Sequence, residues 1–203
     1  MYTGNKSRNI KARCDEIGMT VRVLFWISLI YSLINLGFFI FVSLKPAQEF
    51  SVSLVNTVTG PIGIASYEGG KAIQFAANVL NGSAQQYPKL VYAIGFFTQC
   101  MMNFMAVGML WNIRNIFRNI DRRETPFLRE NSKGMRFIGI LVIIAVHIKT
   151  AFMPLLCAVL GVGAGGSEGM LNVPGLLAGG VIIGLSYIFD YGTVLQMEAD
   201  ETI

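Results

Sequence analysis

The chain is short of the residues that carry most enzyme chemistry. One histidine, His147, and three well-separated cysteines, Cys14, Cys100 and Cys157, are spread over 203 residues. There is no C-x-x-C pair and no Cys/His cluster, so the sequence supports neither a disulfide framework nor a zinc site, and a haem or metal site lacks partners. Charge is scarce as well, at 14% of residues against 53% hydrophobic. No carboxylate falls deep within an apolar run, and no nucleophile stands beside a base. Both absences speak against an intramembrane enzyme. The glycine-rich run 161–169 lacks the Lys-Ser/Thr ending of a phosphate loop. The sequence calls for no metal and no cofactor.

What the chain has instead is apolar length. Four runs, Val21–Leu44, Lys89–Trp111, Arg136–Leu160 and Val173–Tyr191, each approach or exceed the ~20 residues that cross a ~30 Å hydrocarbon core. The expected fold is all-α: a polytopic membrane protein, a four-transmembrane-helix bundle in one domain, with an extended extracytoplasmic loop between helices 1 and 2. The first run starts too late and runs too long for a cleavable signal peptide.

Basic residues set the expected orientation. Lys6, Arg8, Lys11, Arg13 and Arg22 precede or open the first run. Arg114, Arg118, Arg122, Arg123, Arg129, Lys133 and Arg136 occupy or border the connector 112–135. The longer segment 46–88 and its flanks hold only Lys45, Lys71 and Lys89, and the link after the third run holds none. Both termini and the connector are therefore expected in the cytoplasm of a multi-pass protein of the cell membrane, with segment 46–88 outside.

The outer segment is rich in Ser, Thr, Asn and Gly. Val52, Leu54 and Val58 predict a short extended stretch broken at Gly60-Pro61. Ile73, Ala76, Ala77 and Leu80 recur at helical spacing and predict a surface helix over Lys71–Leu80. Asn81-Gly82-Ser83 has the form of a glycosylation sequon. In the connector, Ile113, Ile116, Phe117 and Ile120 predict that the second span continues as an amphipathic helix beyond the membrane, until Thr125-Pro126 breaks it. The tail 192–203 is acidic, and Val194, Leu195 and Glu198 extend the last helix by a turn or two.

Two stretches carry a resemblance. Arg122-Arg123-Glu124-Thr125-Pro126-Phe127-Leu128-Arg129-Glu130-Asn131, with Arg136-Phe137-Ile138-Gly139, is similar to the connector of a bacterial family of four-span membrane proteins, domain of unknown function 2975. The ending from Phe189 through Gly192, Leu195-Gln196, Glu198, Asp200 and Ile203 resembles that family's terminus. The resemblance implies a four-span architecture and genetic association with a small helix-turn-helix regulator. It implies no reaction. Phe127, Arg129, Glu130, Asn131, Leu195, Gln196, Glu198, Asp200 and Ile203 are accordingly the candidate partner-binding residues.

Polar groups inside a membrane are costly unless satisfied, and so are functional candidates. His147 and Lys149 fall near the middle of the third run and face opposite ways on a helix, so they do not make one site. Asn35, Gln99, Asn103 and Ser186 supply hydrogen-bonding capacity. Gly175-x-x-x-Gly179 and Gly180-x-x-x-Gly184 mark small-residue stripes for close helix packing, within the bundle or across a homodimer. Two functions remain: a regulatory protein holding a cytoplasmic helix-turn-helix regulator through its inner face, without touching nucleic acid itself, or a small-solute or ion transporter or channel using His147 and Lys149.

Overall fold

The computed structural model describes residues 3–58, 60–68, 70–76, 79–123, 125–163 and 171–201, without the side chains of residues 3–13, 149 and 200. It is mostly helical. Helix α1 covers Thr3–Ser43 and α2 Pro88–Arg123. Helix α3 covers Arg129–His147 and passes through a π-helical turn, Ile148–Phe152, into α4, Met153–Val159. Helix α5 covers Val173–Glu201. Four helical stretches, Cys14–Ser43, Pro88–Arg123, Arg129–Val159 and Val173–Ala199, are long and apolar enough to cross a membrane. On α1 and α5 side-chain exposure is inverted relative to a water-soluble helix. In α1, Leu33 and Ile34 are exposed while Ser32 and Asn35 are buried, and in α5 Ser186 is buried between exposed Leu185 and Tyr187. That inversion suits hydrocarbon as the solvent, where polar side chains are satisfied inside and leucine is indifferent to exposure.

Helix boundaries follow local chemistry. Pro88 opens α2, where its missing N–H would have had no partner. Helix α2 runs past the apolar stretch to Arg123, as the amphipathic spacing predicts, and stops just before Thr125-Pro126. The third span is interrupted where Pro154 denies a hydrogen bond to the turn before it and crowds the carbonyl four residues back. The helix relaxes into the wider turn at Ile148–Phe152. After α4, Gly161 takes a left-handed φ of 77°, and the Val162 N–H bonds the Cys157 carbonyl at 2.9 Å.

Contacts divide the chain into two compact units. One comprises residues 32–103 and 145–172. It contains a three-stranded antiparallel sheet in the order β1 (Phe50–Thr57), β2 (Gly60–Tyr67), β3 (Ile73–Ala76). The sheet amends the all-helical expectation in two ways. Gly60-Pro61 does not end the extended structure but opens its second strand. Pro61 stands opposite Asn56 of β1, and β3 begins to pair only at Ile62, so the proline sits where β2 has one neighbouring strand. The surface helix predicted over Lys71–Leu80 is overturned by β3. Ile73 and Phe75 also alternate, and the strand lays Phe75, 2% exposed, against Gly95 of α2. A Cβ at Gly95 would lie 2.6 Å from the Phe75 ring.

The same unit has an aromatic core. Phe50 packs against Tyr67 and Tyr92 with centroids 5.4 and 5.3 Å apart, and Phe38 and Phe39 meet Phe96 at 5.5 and 5.8 Å. Tyr92 donates its hydroxyl to the Lys71 carbonyl at 2.9 Å, and Lys89 reaches the Lys45 carbonyl at 2.7 Å, just past the end of α1. Asn81 caps the short 3-10 helix Gly82–Gln85 by accepting from the Ser83 N–H. Its amide donates to the Gly161 and Gly163 carbonyls at 3.4 and 3.2 Å. The sequon asparagine thus has a structural role.

The other unit comprises the chain to Tyr31, Phe104–Ile144 and the chain from Val173. Here α3 crosses α5 at Gly139 and Gly179. A Cβ on either glycine would lie 2.8 Å from the carbonyl oxygen of the other, which only two glycines permit. The two small-residue stripes therefore differ. Gly175 opens the stripe that packs within the chain through Gly179, whereas a Cβ at Gly180 or Gly184 meets nothing within 4 Å.

Candidate functional site

The two motif-bearing stretches meet in the unit just described. Once α2 stops, the chain reverses through Thr125-Pro126 and starts α3. Asn131 holds this elbow. It is fully buried, donates its amide to the Pro126 carbonyl at 3.1 Å, and accepts from the Asn119 amide of α2 at 2.9 Å. Its neighbour Ser132 is also fully buried, and both backbone N–H groups bond the Leu128 carbonyl. An asparagine fits this position because it can donate to the broken turn and accept from the preceding helix at once.

The elbow is then fastened to α5 at three levels. Thr125 donates its hydroxyl to the Gln196 side-chain oxygen at 2.8 Å. Phe127 lies on Phe189 with centroids 5.5 Å apart and presses on Gly192, where a Cβ would sit 2.5 Å from the ring. Further along, the Arg136 guanidinium meets the Asp190 carboxylate at 2.7 Å, reaches Ser186 Oγ at 3.4 Å, and stands 4.4 Å over the Tyr187 ring. Ser186 in turn donates to the Ile183 carbonyl at 2.6 Å. An arginine can serve all three partners, because its planar fork bonds carboxylate and hydroxyl while its face stacks on the ring.

Most of the predicted partner-binding residues thus join the chain to itself or flank that join. Asn131 is buried, Gln196 is bonded, and Phe127 is 38% exposed with one face packed. Arg129, Glu130, Leu195 and Glu198 are exposed. The side chain of Asp200, and Ile203 altogether, lie outside the described residues. A basic connector beside an acidic tail suggests a salt-bridged face but not which residues pair; the fold supplies Arg136–Asp190 and Thr125–Gln196.

Residues 71–203 match the family described as protein of unknown function, DUF2975. The chain belongs to that family. Its match takes in β3, the elbow and the α5 terminus, and leaves α1 and the first hairpin outside. No curated protein and no solved structure matches the chain. These contacts give the two family-like stretches a physical basis: Pro126, Phe127 and Asn131 build the elbow, while Phe189, Gly192 and Gln196 receive it.

Of the intramembrane candidates, Asn35, Gln99, Asn103, His147 and Lys149 fall in the unit that carries the sheet, and Ser186 in the other. Gln99 donates to Asn103 at 3.2 Å along one face of α2, and Asn35 is buried on α1. His147 is half-buried and engaged, and it immediately precedes the π turn that contains Lys149. The Lys149 side chain lies outside the described residues. Among the described residues, no group of three or more His, Cys, Asp or Glu is placed to hold a metal.

Proposed function

We propose that this DUF2975 protein is a non-enzymatic regulator that holds a small helix-turn-helix transcription regulator at the cytoplasmic face of the bacterial plasma membrane. Its own contact is with the bilayer and with that protein, not with nucleic acid. The observation that carries the reading is the fastening of the elbow to α5 by Phe127, Thr125 and Arg136. Such a joint leaves the start of α3, with Arg129, Glu130 and Lys133, and the last turns of α5, with Leu195, Met197 and Glu198, exposed on two elements that it connects.

The basic-residue count supports placing both termini and this joint on the cytoplasmic side. A shift of α5 against α3 would change the spacing of the two exposed groups. A differential affinity of ~1.4 kcal/mol between two such states alters occupancy tenfold. Charge sets orientation and on-rate, so binding weakens with salt, while exposed Leu195 and Met197 supply apolar contact.

A pull-down of the regulator encoded beside the gene tests the reading. It compares the intact protein with a variant carrying Arg129→Glu and Glu198→Lys, which keeps Thr125, Phe127, Arg136, Asp190 and Gln196 in place. Capture by the intact protein and loss in the variant is the expected result. No capture by either, or equal capture by both, contradicts it.

One observation favours the alternative, transport of a small solute or ion. The third span is broken by a π turn beside His147 and includes Lys149, and interrupted helices are common at transport sites. Flux in proteoliposomes that disappears in Lys149→Met would bring that reading forward.

A further inference from the structure

We propose that the groove between the N-terminal part of α1 and the C-terminal part of α2 is a binding site for the headgroup of an anionic phospholipid. A cavity of about 290 Å³ opens there, lined by Arg22, Arg114 and Arg118 together with Asp15, Asp121 and Phe117. Among the described residues, none of the three guanidiniums has a carboxylate within 4 Å, although two aspartates line the same cavity. Arg114 is held instead by aromatic rings. Its guanidinium lies 5.3 Å from the Phe25 centroid and 5.4 Å from that of Trp111. Phe25 is itself buried, 5.4 Å from both Trp26 and Trp111. This contact fixes the arginine's position while leaving its N–H donors available for a phosphate, which an arginine fork matches well.

The depth of the cavity identifies the source of the phosphate. No charged residue lies between Trp26 and Ser43 of α1, or between Leu90 and Trp111 of α2. At ~1.5 Å per residue, those stretches measure roughly 25–33 Å, close to one hydrocarbon thickness. Trp26 and Trp111, the chain's 2 tryptophans, both half-exposed, therefore mark one edge of the apolar layer, where tryptophan concentrates. The three arginines follow within two turns, at headgroup level. Three arginines against two aspartates leave an excess of one positive charge in the cavity. That balance fits a headgroup with one phosphate negative charge and uncharged hydroxyls, as in phosphatidylglycerol: the phosphate accepts from the arginines and the glycerol hydroxyls donate to Asp15 and Asp121. The inference requires only that α1 and α2 span the membrane, so it stands or falls separately from the regulator.

The test uses the two tryptophans as reporters. The full-length protein is reconstituted in bilayers, and Trp fluorescence is titrated with acyl-brominated phosphatidylglycerol or with acyl-brominated phosphatidylcholine. Half-maximal quenching is expected at a several-fold lower fraction of phosphatidylglycerol. Arg118→Gln or Arg22→Gln, at exposed side chains with no ion-pair partner among the described residues, should each raise that fraction by about fivefold, the factor one basic residue supplies at an anionic surface. Arg123→Gln, at an exposed residue outside the cavity, should not. Equal quenching by the two lipids, or no change in either cavity variant, overturns the proposal. Equal preference for brominated phosphatidylethanolamine overturns the assignment to a net anionic headgroup. Abolition of the preference by added inorganic phosphate would show a free-phosphate site and overturn the lipid assignment.

Discussion

The Arg136 guanidinium and the Asp190 carboxylate meet at 2.7 Å across 54 residues of sequence, joining the first half of α3 to α5 just past its middle. Both side chains are about a third exposed, at 34% and 37%, so solvent screening keeps the pair's own contribution to ~1 kcal/mol or less. Arg136→Gln and Asp190→Asn should each lower the thermal midpoint of the purified protein. The double variant should lose less than the sum of the two. Arg136→Lys should recover part of the loss, because it keeps the charge but not the reach to Ser186 or the stacking on Tyr187. Strict additivity in the cycle would mean that the contact carries no energy.

Phe127 and Gly192 are coupled by shape. Gly192→Ala puts a methyl group 2.5 Å from the Phe127 ring, so the ring must leave Phe189 or the helix must move. Overpacking of this kind typically costs about 1–3 kcal/mol. In a Phe127→Ala background the same substitution should cost little, since the obstacle is gone. An equal cost in both backgrounds would show that the ring is not what Gly192 accommodates.

The glycines of α5 should divide by stripe. Gly179→Ala drives its methyl group into the Gly139 carbonyl, 2.8 Å away, and backbone cannot yield as a side-chain tip can, so a loss of roughly 1–3 kcal/mol is expected. Gly180→Ala and Gly184→Ala meet open space and should change monomer stability by about 0.5 kcal/mol or less. Thermal melts at low protein concentration check both. Equal losses at 179 and 180 would contradict the crossing.

The sequence made the helices legible because lipid imposes long charge-free runs, and Thr125-Pro126 announced the end of α2. It misled over Lys71–Leu80, where ten residues are too few to separate helical recurrence from alternation and pairing with β2 decides the outcome. Asn131 illustrates the limit at the site. Its type and motif marked it as significant, but only the fold shows that its amide faces inward to Pro126 and Asn119. A basic connector beside an acidic tail invites ion pairs, but nothing local says which charges on different helices meet, so the choice of Arg136 and Asp190 comes from the fold alone. Pro154 was a readable signal for the π turn, since a proline within a span requires some adjustment of the turn before it.

Membrane sidedness is open to a direct check. Ser53→Cys, on exposed β1, should react with an impermeant thiol reagent added to intact cells, whereas Arg129→Cys should react only after lysis. The native Cys100 and Cys157 are buried and Cys14 is half-buried, so a Cys14→Ser background keeps the signal clean. The opposite pattern would invert the orientation and remove the regulator from reach.

The most direct measurement of the central proposal is photo-crosslinking in living cells from positions on the exposed ends of the joint. A photoreactive residue at 129 or 198 should yield an adduct containing a small helix-turn-helix protein, and one at 53 should not. The adduct from 198 should weaken when Phe127→Ala and Arg136→Gln loosen the joint. An adduct-free result at both 129 and 198, with the protein expressed and correctly oriented, would contradict the account.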